Sequence, residues 1–215
     1  MQMMPRVILL HGLGRTARSM SKLATALEAA GYETVNIDYP SRQHGIEWLC
    51  AHCLAPRIDE LAADRPIHVV SHSLGGILIR QYLQQHELPS GSRIVMLAPP
   101  NHGSEVADHL RHWKPFQWLL GPCLQQLGTG DHSFVRQLLP AKATAHIGII
   151  TGNRSVYPPL SWWIDGENDG LVSVASANLE NRADFLVVRA GHGFIMRNPQ
   201  VIRQTIHFLC DARFR

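Results

Sequence analysis

The chain has 215 residues, of which 45% are hydrophobic and 17% are charged, as in an ordinary soluble globular protein. This length predicts one domain over residues 1–215 with a full hydrophobic core. The formal net charge is only +3 and basic residues are scattered, so nothing indicates binding to nucleic acid or to an anionic membrane. Apolar runs are too short for a signal peptide or a membrane span, which predicts a cytoplasmic protein.

Apolar runs alternate with helical patterns along the chain. Short runs bounded by glycine or proline predict six strands, at 7–10, 33–38, 67–71, 93–97, 145–151 and 185–189. Apolar residues at helical spacing predict helices at 19–30, 46–63, 74–86 and 199–210. This alternation predicts an α/β fold with a mostly parallel sheet covered on both faces, and functional groups at the carboxyl ends of its strands.

Several single residues refine these elements. Gly31 is placed to end the first helix in the left-handed conformation, and Pro56 is expected to bend the second helix because it lacks an amide donor. Residues 101–143 break the alternation, with Ser104 as an N-cap. We expect them to form a short helical insertion and not a second domain.

The third predicted strand runs directly into Ser71-His72-Ser73-Leu74-Gly75-Gly76. A serine hydroxyl is a weak nucleophile, so an enzyme that uses one must hold it exposed beside a base. A sharp strand-to-helix turn lifts the hydroxyl above the sheet edge and points a helix N-terminus at it. Small residues at positions 71 and 75 let the turn close, and Gly76 lets the helix lie close to the next strand. The pattern is the nucleophile elbow G-x-S-x-G, with serine in place of the first glycine.

Ser73 then requires a base, and the base requires an acid that orients it. His192 follows the last predicted strand between two glycines, at the sheet edge where Ser73 is expected. The acid is expected on the loop after the fifth strand. Asp169 is the first choice, because Asp169-Gly170-Leu171-Val172 places it in a tight turn just before apolar residues that lead back into the core. Asp165 is the reserve candidate on this loop and Glu167 the third. The competing interpretations are a loop histidine bonded to backbone and a solvated acidic loop.

A tetrahedral oxyanion must be met by backbone donors at fixed positions. The amide of Leu74, at the start of the helix, is one candidate. The amide of Leu13 is the other, because the glycines that flank it let the loop after the first strand approach closely. His11 is expected to support this loop. His72, whose side chain should point away from Ser73, is expected to support the elbow.

Four segments together resemble the α/β-hydrolase superfamily, specifically compact bacterial lipases and esterases without a large cap domain. They are His11-Gly12-Leu13-Gly14, residues 71–76, Asn168-Asp169-Gly170 and Gly191-His192. The order serine, aspartate, histidine is that of the superfamily. Pro100-Asn101-His102-Gly103-Ser104 is similar to a segment of triacylglycerol lipases and of lipases related to the glycosylphosphatidylinositol deacylases. Two features depart from the pattern: the serine at position 71, and a start at the superfamily's third strand, which implies a minimal six-stranded sheet.

The resemblance implies a serine hydrolase that cleaves carboxylic esters through an acyl-serine intermediate. Ser73, Asp169 and His192 would be its catalytic residues, and the amides of Leu13 and Leu74 its oxyanion hole. A small-molecule ester is the implied partner, and no metal or organic cofactor is required. A thioesterase or an acyltransferase would use the same residues, and a non-catalytic binding protein could keep the same scaffold.

Three other features carry weaker signals. Cys50 and Cys53 have C-x-x-C spacing but lie in an apolar pattern, which favours buried structural thiols over a redox or metal site. Residues 105, 109 and 112 share a helical face, for which a solvated surface is favoured over a metal site. Aromatic side chains near the insertion either line an acyl pocket or lid or pack in the core: Trp113, Phe116, Trp118, Trp162 and Trp163.

Overall fold

A computed structural model describes residues 5–62, 66–139, 145–156 and 158–215. Six strands form one sheet in the order β2-β1-β3-β4-β5-β6, and each neighbouring pair is parallel. The strands are β1 Arg6–Leu10, β2 Glu33–Ile37, β3 Ile67–His72, β4 Arg93–Leu97, β5 His146–Gly152 and β6 Asp184–Val188. The predicted α/β fold class is confirmed.

The helices of the described residues differ widely in length. They are α1 Ser21–Ala29, α2 Ile46–Leu49, α3 Ala55–Ala62, α4 Leu74–Tyr82, α5 Glu105–Leu110, α6 Lys114–Leu120, α7 Pro122–Gln126, α8 Phe134–Gln137, α9 Pro158–Ser161, α10 Val174–Ala177 and α11 Pro199–Asp211. Short 3₁₀ segments precede α1 at Ala17–Met20 and α11 at His192–Arg197.

The sheet has a hydrophobic core on each face because successive strand residues point in opposite directions. Ile8 and Leu10 of β1 belong to one buried cluster, which includes residues of α2, α3 and α4. Val7 and Leu9 belong to the other, which includes residues of α1 and α11. Helices therefore cover both faces, and the carboxyl edge of the sheet is left for the loops.

The helix predicted over 46–63 is interrupted near Pro56. A π-helical turn, Cys50–Leu54, joins α2 to α3, and the amide of Ala55 donates to the carbonyl of Cys50. Because Pro56 has no amide hydrogen, the regular ladder cannot continue through it. Residue 63 lies outside the described residues. Burial raises the pKa of the Cys50 thiol to about 12, as expected of an inert structural cysteine.

The helix predicted over 74–86 is shorter in the structure and ends at Tyr82. Turns follow it, with the amide of His86 donating to the carbonyl of Tyr82 at 3.0 Å, and they bring the buried side chain of Leu88 into the core. Gly31 has a φ of +89°, the left-handed conformation that was predicted. The sequence pattern therefore located α1 and α4. It placed the end of α4 too late, because contacts with the core decide the course of the chain after Tyr82.

Residues 98–139, here called the excursion, leave the sheet after β4 and form α5 to α8. Ser104 caps α5 as predicted, because its Oγ accepts the amide of Ala107 at 3.3 Å. Arg80 of α4 joins the two ends of the excursion, donating to the carbonyls of Asn101 at 2.7 Å and Leu138 at 3.0 Å. Burial lowers the pKa of this guanidinium to about 10, so it stays charged at neutral pH. Residues 140–143 of the predicted insertion lie outside the described residues.

Candidate active site

Ser73 lies at the sharp turn between β3 and α4, with φ of 52° and ψ of −119°. Residues other than glycine rarely adopt positive φ, so this turn is strained. The Ser73 amide donates to the carbonyl of Leu97 at 2.9 Å. A Cβ at Gly75 would lie 2.8 Å from the carbonyl oxygen of Leu10 and 2.9 Å from that of His11. Glycine is therefore required for α4 to begin this close to the end of β1.

The structure brings three of the predicted side chains into one hydrogen-bonded series. The hydroxyl of Ser73 lies 3.0 Å from Nε2 of His192, and Nδ1 of His192 lies 2.8 Å from Oδ2 of Asp169. Because a carboxylate only accepts hydrogen bonds, Nδ1 carries the imidazole proton and Nε2 is left to accept the serine hydroxyl. Ser73 is 9% exposed, His192 5% and Asp169 0%, so the series is shielded from bulk water.

The loop after β5 fixes the carboxylate of Asp169. Its Oδ1 accepts the amides of Leu171 at 3.0 Å and Val172 at 2.9 Å. The backbone carbonyl of Asp169 also accepts the amide of His192 at 3.0 Å. Asp169 therefore positions both the side chain and the backbone of His192. The two other acidic candidates on this loop, at positions 165 and 167, have exposed side chains. Geometry thus favours Asp169 among the three.

The two histidines expected to play supporting parts are both buried. Nε2 of His72 donates to the carbonyl of His192 at 3.0 Å, and burial holds the pKa of His72 well below its usual value, so the ring is neutral. His11 stacks on Tyr39 with ring centroids 3.9 Å apart, and its Nδ1 donates to the carbonyl of Gly12 at 2.9 Å. These contacts support the loops on which Leu13 and His192 lie.

The two predicted oxyanion donors lie close to the elbow. Leu74 is the first residue of α4, where an amide has no acceptor within its own helix. Leu13 lines the same cavity as Ser73. Its loop passes so near the elbow that a Cβ at Gly12 would lie 3.2 Å from the Cβ of Ser73.

An apolar cavity of about 290 Å³ is lined by Ser73 and His192. Much of its wall consists of aliphatic side chains from the excursion and from α9: Val106, Leu110, Leu120, Leu124, Leu127 and Leu160. Arg15 also lies in the wall. Sequence reasoning missed these lining residues, because helical spacing shows that a side chain faces inward but not that it faces a cavity.

The aromatic residues near the insertion do not line this cavity. Trp113, Trp118 and Trp162 are 59%, 87% and 80% exposed, so neither a pocket wall nor core packing describes them. Phe116 and Trp163 are partly buried and pack against the core. Phe116 and Trp118 lie on the same helix, α6, and face opposite environments, whereas Trp113 precedes α6 and the other two tryptophans follow α9.

The sheet order, the strained elbow and the polar series at the carboxyl edge define the class of the protein as an α/β hydrolase. The chain belongs to the alpha/beta hydrolase family, whose model matches residues 7–205. This match confirms the resemblance drawn from the sequence. A search of curated proteins finds no match to the chain.

Solved structures of lipases and esterases share the fold. The mature lipase BlEst2 of Bacillus licheniformis is 23% identical, covers 97% of this chain and 93% of its own, and has a TM-score of 0.82. The metagenomic carboxyl esterase MGS0156 is 19% identical over 89% of this chain and 65% of its own, with a TM-score of 0.67. The monoacylglycerol lipase of Paleococcus ferrophilus is 16% identical over 96% and 95%, with a TM-score of 0.60. At such identities the likeness concerns the fold.

Within the described ranges, no group of three or more histidine, cysteine, aspartate or glutamate side chains is placed to hold a metal ion. His109, one of the residues on the suspected helical face, donates from Nδ1 to the carbonyl of Glu105 at 2.8 Å and stacks on Trp163. None of the helices in the described part of the chain is long and apolar enough to span a membrane.

Proposed function

We propose that the protein is a serine hydrolase that cleaves carboxylic esters through an acyl-serine intermediate. The observation that carries this proposal is the buried series Asp169–His192–Ser73 at the wall of an apolar cavity. Hydroxyl, imidazole and carboxylate in this order are the groups that nucleophilic acyl transfer requires. The names of the structural neighbours, lipases and a carboxyl esterase, favour an ester as the substrate.

In the first half of the reaction, Oγ of Ser73 attacks the ester carbonyl carbon while Nε2 of His192 takes its proton. The imidazolium is stabilised by the carboxylate of Asp169, and the amides of Leu13 and Leu74 donate to the oxyanion. The tetrahedral intermediate then collapses, and His192 returns the proton to the departing alcohol. This leaves an acyl group on Ser73.

In the second half, His192 takes a proton from water, whose oxygen attacks the acyl carbon. Collapse of this intermediate releases the carboxylic acid, and the proton returns to Ser73. An acceptor alcohol in place of water would make the enzyme an acyltransferase, and a thioester would react by the same steps. Adding an acceptor alcohol during turnover and measuring the new ester separates hydrolysis from transfer.

The apolar cavity is proposed to bind the acyl group. Its volume of about 290 Å³ lies just below the range of about 300–1,000 Å³ that is usual for ligand pockets, which favours short or medium chains. A cytoplasmic location remains a prediction from the sequence, to be tested by cell fractionation.

Hydrolysis of p-nitrophenyl esters of graded acyl length tests the proposal. Replacing Ser73→Ala should lower kcat by at least about 10³-fold, because the nucleophile is lost. Ser71→Ala is the matched control, since this serine lies on β3 just before the turn and its buried hydroxyl has no hydrogen-bond partner among the described residues. Equal rates for native protein and Ser73→Ala would contradict the proposal and favour a non-catalytic binding protein.

A further inference from the structure

Residues 100–104, which follow β4 and are similar in sequence to a segment of lipases, have no part in the reaction proposed above. In the structure they are bonded to residues 171–177, which follow Asp169 on the loop after β5. Hydrogen bonds join Asn101 to Ala177, His102 to Ser176, Gly103 to Ser176 and Ser104 to Leu171. The segment is therefore in a position to act on the loop that carries the proposed acid.

Ser104 makes the contact that is nearest in sequence to Asp169. Its Oγ lies 2.6 Å from the carbonyl oxygen of Leu171. Because a carbonyl oxygen only accepts hydrogen bonds, the hydroxyl of Ser104 is the donor. Ser104 is 7% exposed and Val172, the residue after Leu171, is 2% exposed. Bulk water is therefore poorly placed to replace this hydroxyl.

One peptide group connects the hydroxyl of Ser104 to the carboxylate of Asp169. The carbonyl of Leu171 and the amide of Val172 belong to this group, whose atoms lie close to one plane. The carbonyl accepts the Ser104 hydroxyl, and the amide donates to Oδ1 of Asp169 at 2.9 Å. Hydrogen bonds in such a chain polarise and strengthen one another. Gly170, with φ of +102°, lies just before and has more conformational freedom than other residues, so a contact from outside the turn helps to fix the peptide plane.

We propose that Ser104 is a positioning residue, which holds this peptide group so that Oδ2 of Asp169 stays directed at Nδ1 of His192. The inference rests on the proposed function, in which Asp169 orients His192 as the base. Ser104 thus differs from the other residues of the excursion that line the apolar cavity. It acts on the rate through Asp169, whereas they act on the fit of the acyl group.

Ser104→Ala tests this inference, because it removes the donor to the carbonyl of Leu171. We expect kcat for p-nitrophenyl acetate to fall by about 10- to 100-fold with little change in KM, since small displacements of catalytic groups have effects of this size. The proton on Nδ1 of His192, observed by ¹H NMR and assigned by its loss in His192→Gln, should shift or broaden. Ser104→Thr keeps a hydroxyl and should restore both the rate and the signal.

Ser176→Ala is the matched control. Ser176 also donates a buried hydroxyl between the same two segments, but to the carbonyl of Gly103. The amide of that peptide group donates to Leu127, so the group lies outside the chain of hydrogen bonds that reaches Asp169. We expect Ser176→Ala to lower the melting temperature as Ser104→Ala does, and to leave kcat and the Nδ1 proton signal as in the native protein.

A purely structural role of Ser104 gives a different result. Ser104 also caps α5, a helix whose Val106 and Leu110 line the apolar cavity. Loss of the cap alone should raise KM for long acyl groups and leave the Nδ1 proton signal of His192 in place. That result would overturn the inference.

A native kcat in Ser104→Ala, or a change that Ser176→Ala reproduces in full, would also overturn it. Ser104→Cys takes the place of Ser104→Ala if the latter fails to fold, because a thiol fills the same space but is a weak donor; a native kcat and signal there have the same meaning. The NMR signal separates the two proposals. A signal shifted by Ser104→Ala in a protein that hydrolyses no ester supports the positioning of Asp169 by Ser104 and counts against the hydrolase alone.

Discussion

The elbow and the excursion both contribute to the wall of the apolar cavity, but they are built in different ways. Residues 67–80, which include β3, Ser73 and most of α4, are all buried. In the excursion, α6 has no buried residue, and Trp118 on it is 87% exposed. The elbow is buried throughout, whereas the excursion combines residues of the hydrophobic core, such as Val106 and Leu124, with the exposed helix α6.

This difference separates two tasks. Reacting groups must be held in one geometry, and a fully buried strand and helix provide that constraint. Selectivity requires only that the wall of a cavity have a suitable size and shape, which side chains on short exposed helices can supply. Substitutions at the elbow should therefore change rates, and substitutions in the excursion, Ser104 aside, should change the preference among substrates.

The largest effect that would sharpen this comparison is expected from Asp169→Asn. The substitution keeps an oxygen for the amides of Leu171 and Val172 but no longer stabilises the proton on Nδ1 of His192, so kcat should fall by about 10⁴-fold. Steady-state rates on a p-nitrophenyl ester measure it. Asp165→Asn is the control on the same loop and should be nearly neutral. If Asp165→Asn abolished turnover and Asp169→Asn did not, the two roles would be exchanged.

A smaller effect is expected from Gly75→Ala at the elbow. The new Cβ would meet two backbone carbonyls at under 3 Å, so the start of α4 must shift, at a cost of about 1–3 kcal/mol in the free energy of unfolding. Urea denaturation measures this cost, and kcat should fall with it because the amide of Leu74 moves. Gly130→Ala in the excursion is the matched control, since a Cβ there meets nothing within 4 Å. Equal costs for the two variants would break the comparison.

The smallest effect is expected from Leu120→Trp, in the cavity wall on α6. A larger side chain should exclude long acyl groups and lower their kcat/KM about tenfold relative to acetate esters. The chain-length profile of p-nitrophenyl esters measures this shift, and the melting temperature checks that the fold is intact. Trp118→Leu, on the same helix but outside the cavity wall, should leave the profile unchanged. A shift with Trp118→Leu would show that the exposed face of α6 also selects substrates.

Local signals predicted the strands and the elbow. The residues that shape the turn lie within two positions of Ser73, so their spacing is visible in the sequence. His192 was favoured among 13 histidines by its place after the last strand. Because parallel strands end at the same edge of a sheet, the order of the elements along the chain predicts which loops meet there. The choice of Asp169 over its two neighbours had weaker support, because all three are acidic residues of one loop.

By itself, the sequence determined the alternation of strands and helices, the elbow at Ser73 and the loops from which a base and an acid would come. Only the tertiary structure decided which carboxylate lies 2.8 Å from His192, which leucines line a cavity and that three tryptophans are exposed. The physical reason is the range of the interactions. Backbone turns and strand patterns are set by neighbouring residues, whereas cavities and carboxylate contacts depend on segments far apart in the chain that meet only in the folded protein.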